Sequence, residues 1–226
     1  RSMANPHAPI RMHRSIKAAP VGPPEAAGAR AAFGTAVQRI DSSSSEGIEI
    51  TVTSSEGERS FAADYAVLTS GAWTTELTAA AGRELPVRPV RGQQGRYRRQ
   101  QPVSHILRYD GNYLLPDGDE IIAGSTVEDV GFDLETTDAA ATMFNGLCVD
   151  LLGRPLDLIE LRAGLRPKGR RGRASIGPLG AGTRVFVAAG HYRNGVLMGP
   201  LTGKVIARWI CEGTPGRDMS PFAPLD

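Results

Sequence analysis

The sequence predicts an α+β fold, an antiparallel sheet with a helix, flanked by elements of another layer. Three observations predict it. Ile48, Ile50 and Val52 alternate with Glu49, Thr51 and Thr53, the two-residue period of a half-buried strand. Three short β-prone stretches within 104–125 are separated by Asp110-Gly111 and Asp117-Gly118, both strong turn signals. Two longer stretches, 138–152 and 195–212, carry apolar residues at helical spacing.

Taken in order, Arg1-Ser2 ahead of Met3 reads as a cloning remnant, and residues 1–34 as a flexible Ala/Pro-rich arm. Pro20, Pro23 and Pro24 break any helix there, and no apolar run follows the early arginines to make a secretory signal. A short apolar segment, Thr35 to Ile40, precedes the polar tract Asp41 to Gly47. The alternating strand 48–53 turns through Ser54 to Glu58 and returns as Ser60 to Ala63. Tyr65 to Thr69 reads as a fully buried strand ending at Ser70-Gly71-Ala72-Trp73, with a helix over 73–82. Pro86, Pro89, Gly92 and Gly95 make 85–98 a mixture of strand and loop. Strands follow at Ser104–Arg108, Asn112–Leu115 and Glu120–Ser125. Thr136-Thr137-Asp138 caps a helix over 138–152, with Met143, Leu147, Val149 and Leu151 as its apolar positions. Strands at 156–165 and 184–189 lead to a last helix over 195–212. Its core face is Val196, Leu197, Val205, Ile206, Trp209 and Ile210. No repeat of 20–50 residues is visible.

Composition narrows the class. Of 226 residues, 41% are apolar and 22% charged, and 26 basic against 24 acidic residues leave a net charge of +2. That balance makes no general case for nucleic acid or membrane, and the longest apolar run falls well short of the roughly 18 residues of a membrane span. Cys148 and Cys211 cannot build a disulfide framework or a cysteine zinc site. His7, His13, His105 and His191 show no zinc spacing, so no metal is expected. Ala123-Gly124-Ser125-Thr126-Val127 is not a Gly-x-Ser-x-Gly nucleophile elbow. The expectation is a soluble, cytoplasmic, non-hydrolytic protein.

Three segments could carry chemistry. Ala188 to Val196 runs from a strand through the polar loop Gly190-His191-Tyr192-Arg193-Asn194-Gly195 into a helix, whose first amides favour electron-rich groups. Arg166, between Leu165 and Pro167, ends a strand, and its guanidinium fork matches a carboxylate; an ordinary salt bridge is the plainer alternative. Tyr113, in Tyr113-Leu114-Leu115-Pro116, could turn its hydroxyl toward a substrate carboxylate, although most strand tyrosines only pack. Lys168 to Arg173 holds four positive charges in six residues and could meet phosphates, but lacks the interleaved aromatics of a nucleic-acid surface and reads as a solvated loop.

In order and spacing, these segments together with Gly71-Ala72-Trp73, Pro89 to Gln93, Gly124 to Phe132 and Ile176-Gly177-Pro178 resemble a known family. It is the FAD-dependent D-amino-acid oxidase family, closest to the glycine oxidase of thiamine biosynthesis, and the likeness is to its carboxy-terminal half over roughly 35–212. The resemblance implies the antiparallel-sheet substrate domain with part of the FAD-binding layer, lacking the amino-terminal Rossmann βαβ. Residues 35–84 would form a partial FAD-binding layer and 85–165 the substrate sheet. Residues 166–212 would return to the FAD layer, and 213–226 would form a tail. Arg166 would grip the amino-acid carboxylate, Tyr113 would support it, and Arg193 would be the second arginine of the site. Val37, Gly71, Ala72, Gly164, Gly190, His191, Asn194, Gly195 and Val196 would touch FAD. The implied reaction is oxidative deamination of glycine or small D-amino acids, with hydride transfer to flavin N5 and reoxidation by oxygen to peroxide.

The family's Gly-x-Gly-x-x-Gly turn is not found; Gly180-Ala181-Gly182 is the nearest string and lacks the third glycine. Arg162 stands where the family often has tryptophan, and Asp117 where arginine is common. Two further expectations therefore stand beside the first. The oxidase is then present as a fragment or truncated member, completed by a second chain or a homo-oligomer, or the chain is a flavin-free remnant serving as a binding or interaction module.

Overall fold

The largest sheet is built on two long strands that the sequence only half announces. In the computed structural model, which describes residues 28–44 and 46–224, β5 (Val87–Arg98) and β9 (Leu158–Gly169) pair antiparallel from Val87↔Gly169 to Tyr97↔Leu158. The expected mixture over 85–98 is thus a single strand. Pro89 stands opposite Pro167 at the end of the ladder where only these two strands run, so neither proline removes a bond from a third strand. The strand expected over 156–165 likewise continues to Gly169. The arm expected over 1–34 falls mostly on residues 1–27, which lie outside the described residues.

Five strands make this sheet, in the order β6 (Leu107–Tyr109), β7 (Asn112–Asp117), β8 (Glu120–Gly124), β5, β9. Asp110 and Gly111 both take positive φ, 45° and 76°, as a two-residue hairpin loop of this kind requires. The α-helix Asp138–Leu152 covers one face. Thr137 caps it by accepting from the Ala140 amide, and left-handed Gly153 ends it. Ala140, Phe144, Leu147 and Cys148 pack from the helix onto Tyr97, Leu114, Ile121 and Ala123 of the sheet. Met143 and Val149, expected on the apolar side, are exposed instead, because the sheet touches only the stripe through 140, 144, 147 and 148.

The second layer has two three-stranded sheets. One is β1 (Ala36–Asp41), β2 (Ile48–Ser54) and β3 (Gly57–Ala63), all antiparallel. The other has β11 (Val185–Ala189) at its centre, antiparallel to β10 (Ser175–Pro178) and parallel to β4 (Ala66–Leu68). β10 was not expected: four residues ending in Gly177-Pro178 carry no periodic signal. The stretch expected to be fully buried over 65–69 alternates, with Tyr65 and Val67 open and Ala66 and Leu68 in the core. A single 3-10 turn, Gly71–Trp73, leads into α1 (Thr74–Ala80). Taking the helix on Asp138 as α2, the last is α3 (Gly195–Glu212). Val205 and Ile206 of α3 pack on Ile176 and Phe186. Val196 and Leu197, expected in the core, are 77% and 82% exposed, since the first turn of α3 stands clear of that cluster. Among the described residues no helix is long and apolar enough to cross a membrane.

Candidate functional site

The face of the large sheet opposite α2 carries the site. Partners across a ladder share a face, so the row Tyr113↔Gly124↔Gln94↔Arg162 places these four residues side by side on β7, β8, β5 and β9. Two residues along lies Gly92↔Gly164, and two further Val90↔Arg166. Three glycines therefore floor this face between Tyr113 and Arg166.

The gap at Gly92 is filled by Arg166. Its guanidinium lies flat across the strand, so that a Cβ built on Gly92 would sit 2.1 Å from Nη1 and 2.2 Å from Cζ. Only a residue without a side chain lets β9 reach over β5 in this way. Beyond Gly92, Nη1 donates to the Thr126 carbonyl (3.0 Å) and Nη2 to Ser125 Oγ (2.8 Å). Both acceptors are neutral, and among the described residues no carboxylate forms an ion pair with Arg166. The salt bridge that was its plainer reading is not there. Burial holds its pKa below the ordinary arginine value, and the charge of Arg193 adds to that effect. Tyr113 shares the gap at Gly124, where a Cβ would meet its hydroxyl at 2.7 Å, and Gln94 Nε2 donates to that hydroxyl at 2.6 Å. With its oxygen accepting from Gln94, the Tyr113 O–H is left to donate elsewhere.

The segment 125–137 that supplies Ser125 and Thr126 is itself clamped to β5. Buried Arg91 binds the carboxylates of Glu128 and Asp133 and donates to the Glu135 carbonyl (2.8 Å). Gln93, fully buried, donates to Glu128 Oε1 (2.8 Å) and accepts from the Thr137 amide (2.8 Å), while its own amide donates to Thr126 Oγ1 (2.8 Å). Burial works against the charge on Glu128, but hydrogen bonds from Arg91, Gln93 and Thr126 outweigh it and hold its carboxyl below the usual range.

The polar loop at the start of α3 comes in beside the end of β9, where Lys168 bridges to His191. Gly190, at φ 75°, packs against Gly169 backbone to backbone. His191 turns inward to Thr202 Oγ1 (3.0 Å), and burial lowers its pKa. Arg193 is exposed and lies over the Tyr192 ring at 5.4 Å, with Lys168 also 5.4 Å from that ring. Asn194 makes no side-chain cap bond, so the first-turn amides of this eighteen-residue helix take no partner from it. Val196 and Leu197 stand exposed beside them.

Arg166, Tyr113 and Gly164 therefore share one face, with Arg193 close enough for its charge to act on Arg166. Gly71, at φ 58°, and buried Ala72 lie on the 3-10 turn before α1, where Trp73 packs on Phe132 of the clamped segment (5.6 Å). Val37 lies apart on β1, in the other antiparallel sheet. Sequence reasoning missed Gln94 and the supports Ser125, Thr126, Arg91, Gln93 and Glu128. The available signal was Gly92 and Gly95 inside a strand-like run, which marks close approach of another group. No group of three or more His, Cys, Asp or Glu among the described residues could hold a metal.

The arrangement suits a carboxylate gripped between Arg166 and Tyr113, on an open floor beside the first turn of α3. The family model described as FAD dependent oxidoreductase matches residues 24–209. Glycine oxidase from Pseudomonas aeruginosa is 34% identical over 179 residues, covering 77% of this chain and 49% of that enzyme. Hydrogen cyanide synthase subunit HcnC from the same organism is 35% identical over 159 residues, covering 68% of this chain and 38% of its own length. The crystal structure of glycine oxidase from Geobacillus kaustophilus superposes with a TM-score of 0.76 at 30% identity, covering 88% of this chain and 54% of that one. The chain spans about half the length of the glycine oxidases it matches.

Proposed function

The chain belongs to the FAD dependent oxidoreductase family, and from that membership we propose that it is the substrate-facing half of an oxidase of glycine or small D-amino acids. One observation carries the reading beyond the family. Arg166 is half-buried, and among the described residues its hydrogen bonds go to neutral oxygens; the charge of Arg193 presses on it and the Glu128 carboxylate works the other way without bonding to it, so a ligand anion would complete its surroundings. An amino-acid carboxylate supplies it bidentately, and Tyr113 O–H is free to donate to the same group.

The residues present fit a flavin. Gly164 leaves the floor open, with nothing within 4 Å of where its Cβ would be. The start of α3 offers amides to the carbonyl-rich edge of a heterocycle and Val196 and Leu197 to its apolar part. Gly71 and Ala72 would contribute backbone contacts, and Gly190, His191, Asn194 and Gly195 would form the loop along that edge. When bound, the flavin supplies the oxidation of the amino acid at Cα. Arg166 and Tyr113 fix the carboxylate and so the direction in which Cα points; the clamped segment 125–137 keeps Arg166 in that pose. Both cysteines are unpaired, which accords with the cytoplasm.

The test begins with a visible spectrum of the chain after incubation with FAD and dialysis. A retained flavin band that bleaches anaerobically with glycine or D-alanine is the expected result. Arg166→Met keeps the band and weakens the amino acid by about 2–5 kcal/mol, the cost of leaving one member of a charged pair without its partner. Bleaching at the same amino-acid concentration in the variant would refute the assignment.

A further inference from the structure

A cleft of about 690 Å³ opens where the start of β5 meets the turn after β9. Its charged lining is basic: Arg88, Lys168, Arg170 and Arg171 border it together with Thr75; Pro86 and Val87 form an apolar wall, and among the described residues that line it none is acidic. The ladder adds an independent argument. Arg88 and Lys168 are direct cross-strand partners at the end of β5 and β9, so two like charges face each other on one side of the sheet. Such a pair is unfavourable unless a counter-charge is shared between them. Asp129 binds Arg88 from outside, but both side chains of that pair are more than half exposed, where such a contact contributes little. Beneath Lys168 lies the face of Tyr192. The positive charge is thus concentrated in a concave place, on a chain whose total is nearly balanced.

We propose that this cleft binds a phosphoryl dianion, as carried by a phosphate ester or a diphosphate. A dianion satisfies Arg88 and Lys168 together, Arg171 closes on it from the turn, and Gly172, with nothing within 4 Å of where its Cβ would be, allows close approach. Long nucleic acid fits less well, because none of the described residues lining the cleft is an aromatic for base stacking. The inference stands independently of the oxidase reading, since Arg166 is not part of the cleft.

The experiment is calorimetric titration of the chain with inorganic pyrophosphate at fixed ionic strength. Saturable binding is expected, weakened about tenfold by Arg171→Gln and again by Arg88→Gln, the loss of one charge-assisted contact each. Arg166→Met leaves it unchanged. Competition between FAD and pyrophosphate would assign the dianion to the flavin dinucleotide, and binding of both at once to a free phosphoryl ligand. Absence of saturable binding, wild-type affinity in both cleft variants, loss of binding in Arg166→Met, or binding of RNA alone would each overturn the proposal.

Discussion

Replacing Gly92 by alanine tests the central geometry of the site with one methyl group. The new Cβ would lie 2.1 Å from Arg166 Nη1, and restoring an ordinary contact of 3.4 Å moves the guanidinium by more than an ångström. That displacement breaks the bonds to Thr126 and Ser125, which fix the fork in the plane a carboxylate must meet. A charge-assisted contact contributes about 1.5–3 kcal/mol. Losing about 2–3 kcal/mol of the grip weakens glycine roughly 30- to 150-fold in the flavin-loaded protein. The assay is a glycine titration followed by flavin absorbance, paired with thermal unfolding. Without the clash, alanine for glycine inside a strand stabilises by about 0.5–1 kcal/mol, so Tm reports the contact independently. Gly164→Ala is the matched control: its Cβ meets nothing within 4 Å, and Tm holds or rises. Glycine affinity within twofold of wild type, together with a raised Tm in Gly92→Ala, would refute the reasoning.

Two further outcomes follow from the same contacts. Gln94→Leu removes the donor to Tyr113 and costs about 0.5–1.5 kcal/mol, read as a two- to tenfold rise in KM with kcat nearly unchanged; an unchanged KM would separate Tyr113 from substrate binding. Glu128 has a folded pKa below its ordinary 4.5, so the stability it contributes is complete above 4.5 and lost as pH falls through the lower folded value. Glu128→Gln lowers Tm at neutral pH and flattens its decline below about pH 4.5; a decline as steep as in wild type would refute this.

Much of the fold was legible because its signals are local. The ends of α2 follow from Thr137 and Gly153 and the β6–β7 hairpin from Asp110-Gly111, each set by chemistry within a few residues. Burial was less legible, because it depends on what comes to lie above a residue. Met143 and Val149 fall beside the stripe that meets the sheet, and Val196 and Leu197 on a turn that nothing among the described residues covers. β5 was hidden by its prolines and glycines, which weaken strand propensity yet here mark the positions where Pro167 and the Arg166 guanidinium come opposite. Arg166 and Tyr113 stood out through family likeness. Gln94 did not, because its role exists only once β5 and β7 are brought to either side of Gly124.

The clamp built on Gln93 ties together things that the chain keeps far apart. Its amide binds Thr126, its side-chain oxygen takes the Thr137 amide at the start of α2, and its side-chain nitrogen holds Glu128. Fraying of the first turn of α2 and slackening of the arginine pose are therefore one event. In hydrogen exchange, the Gln93 and Thr137 amides are expected to open as one cooperative unit, and a ligand seated on Arg166 to slow both together. Occupancy of the sheet's open face would thereby reach the helix on its opposite face through a fully buried glutamine and the arginine beside it, Arg91.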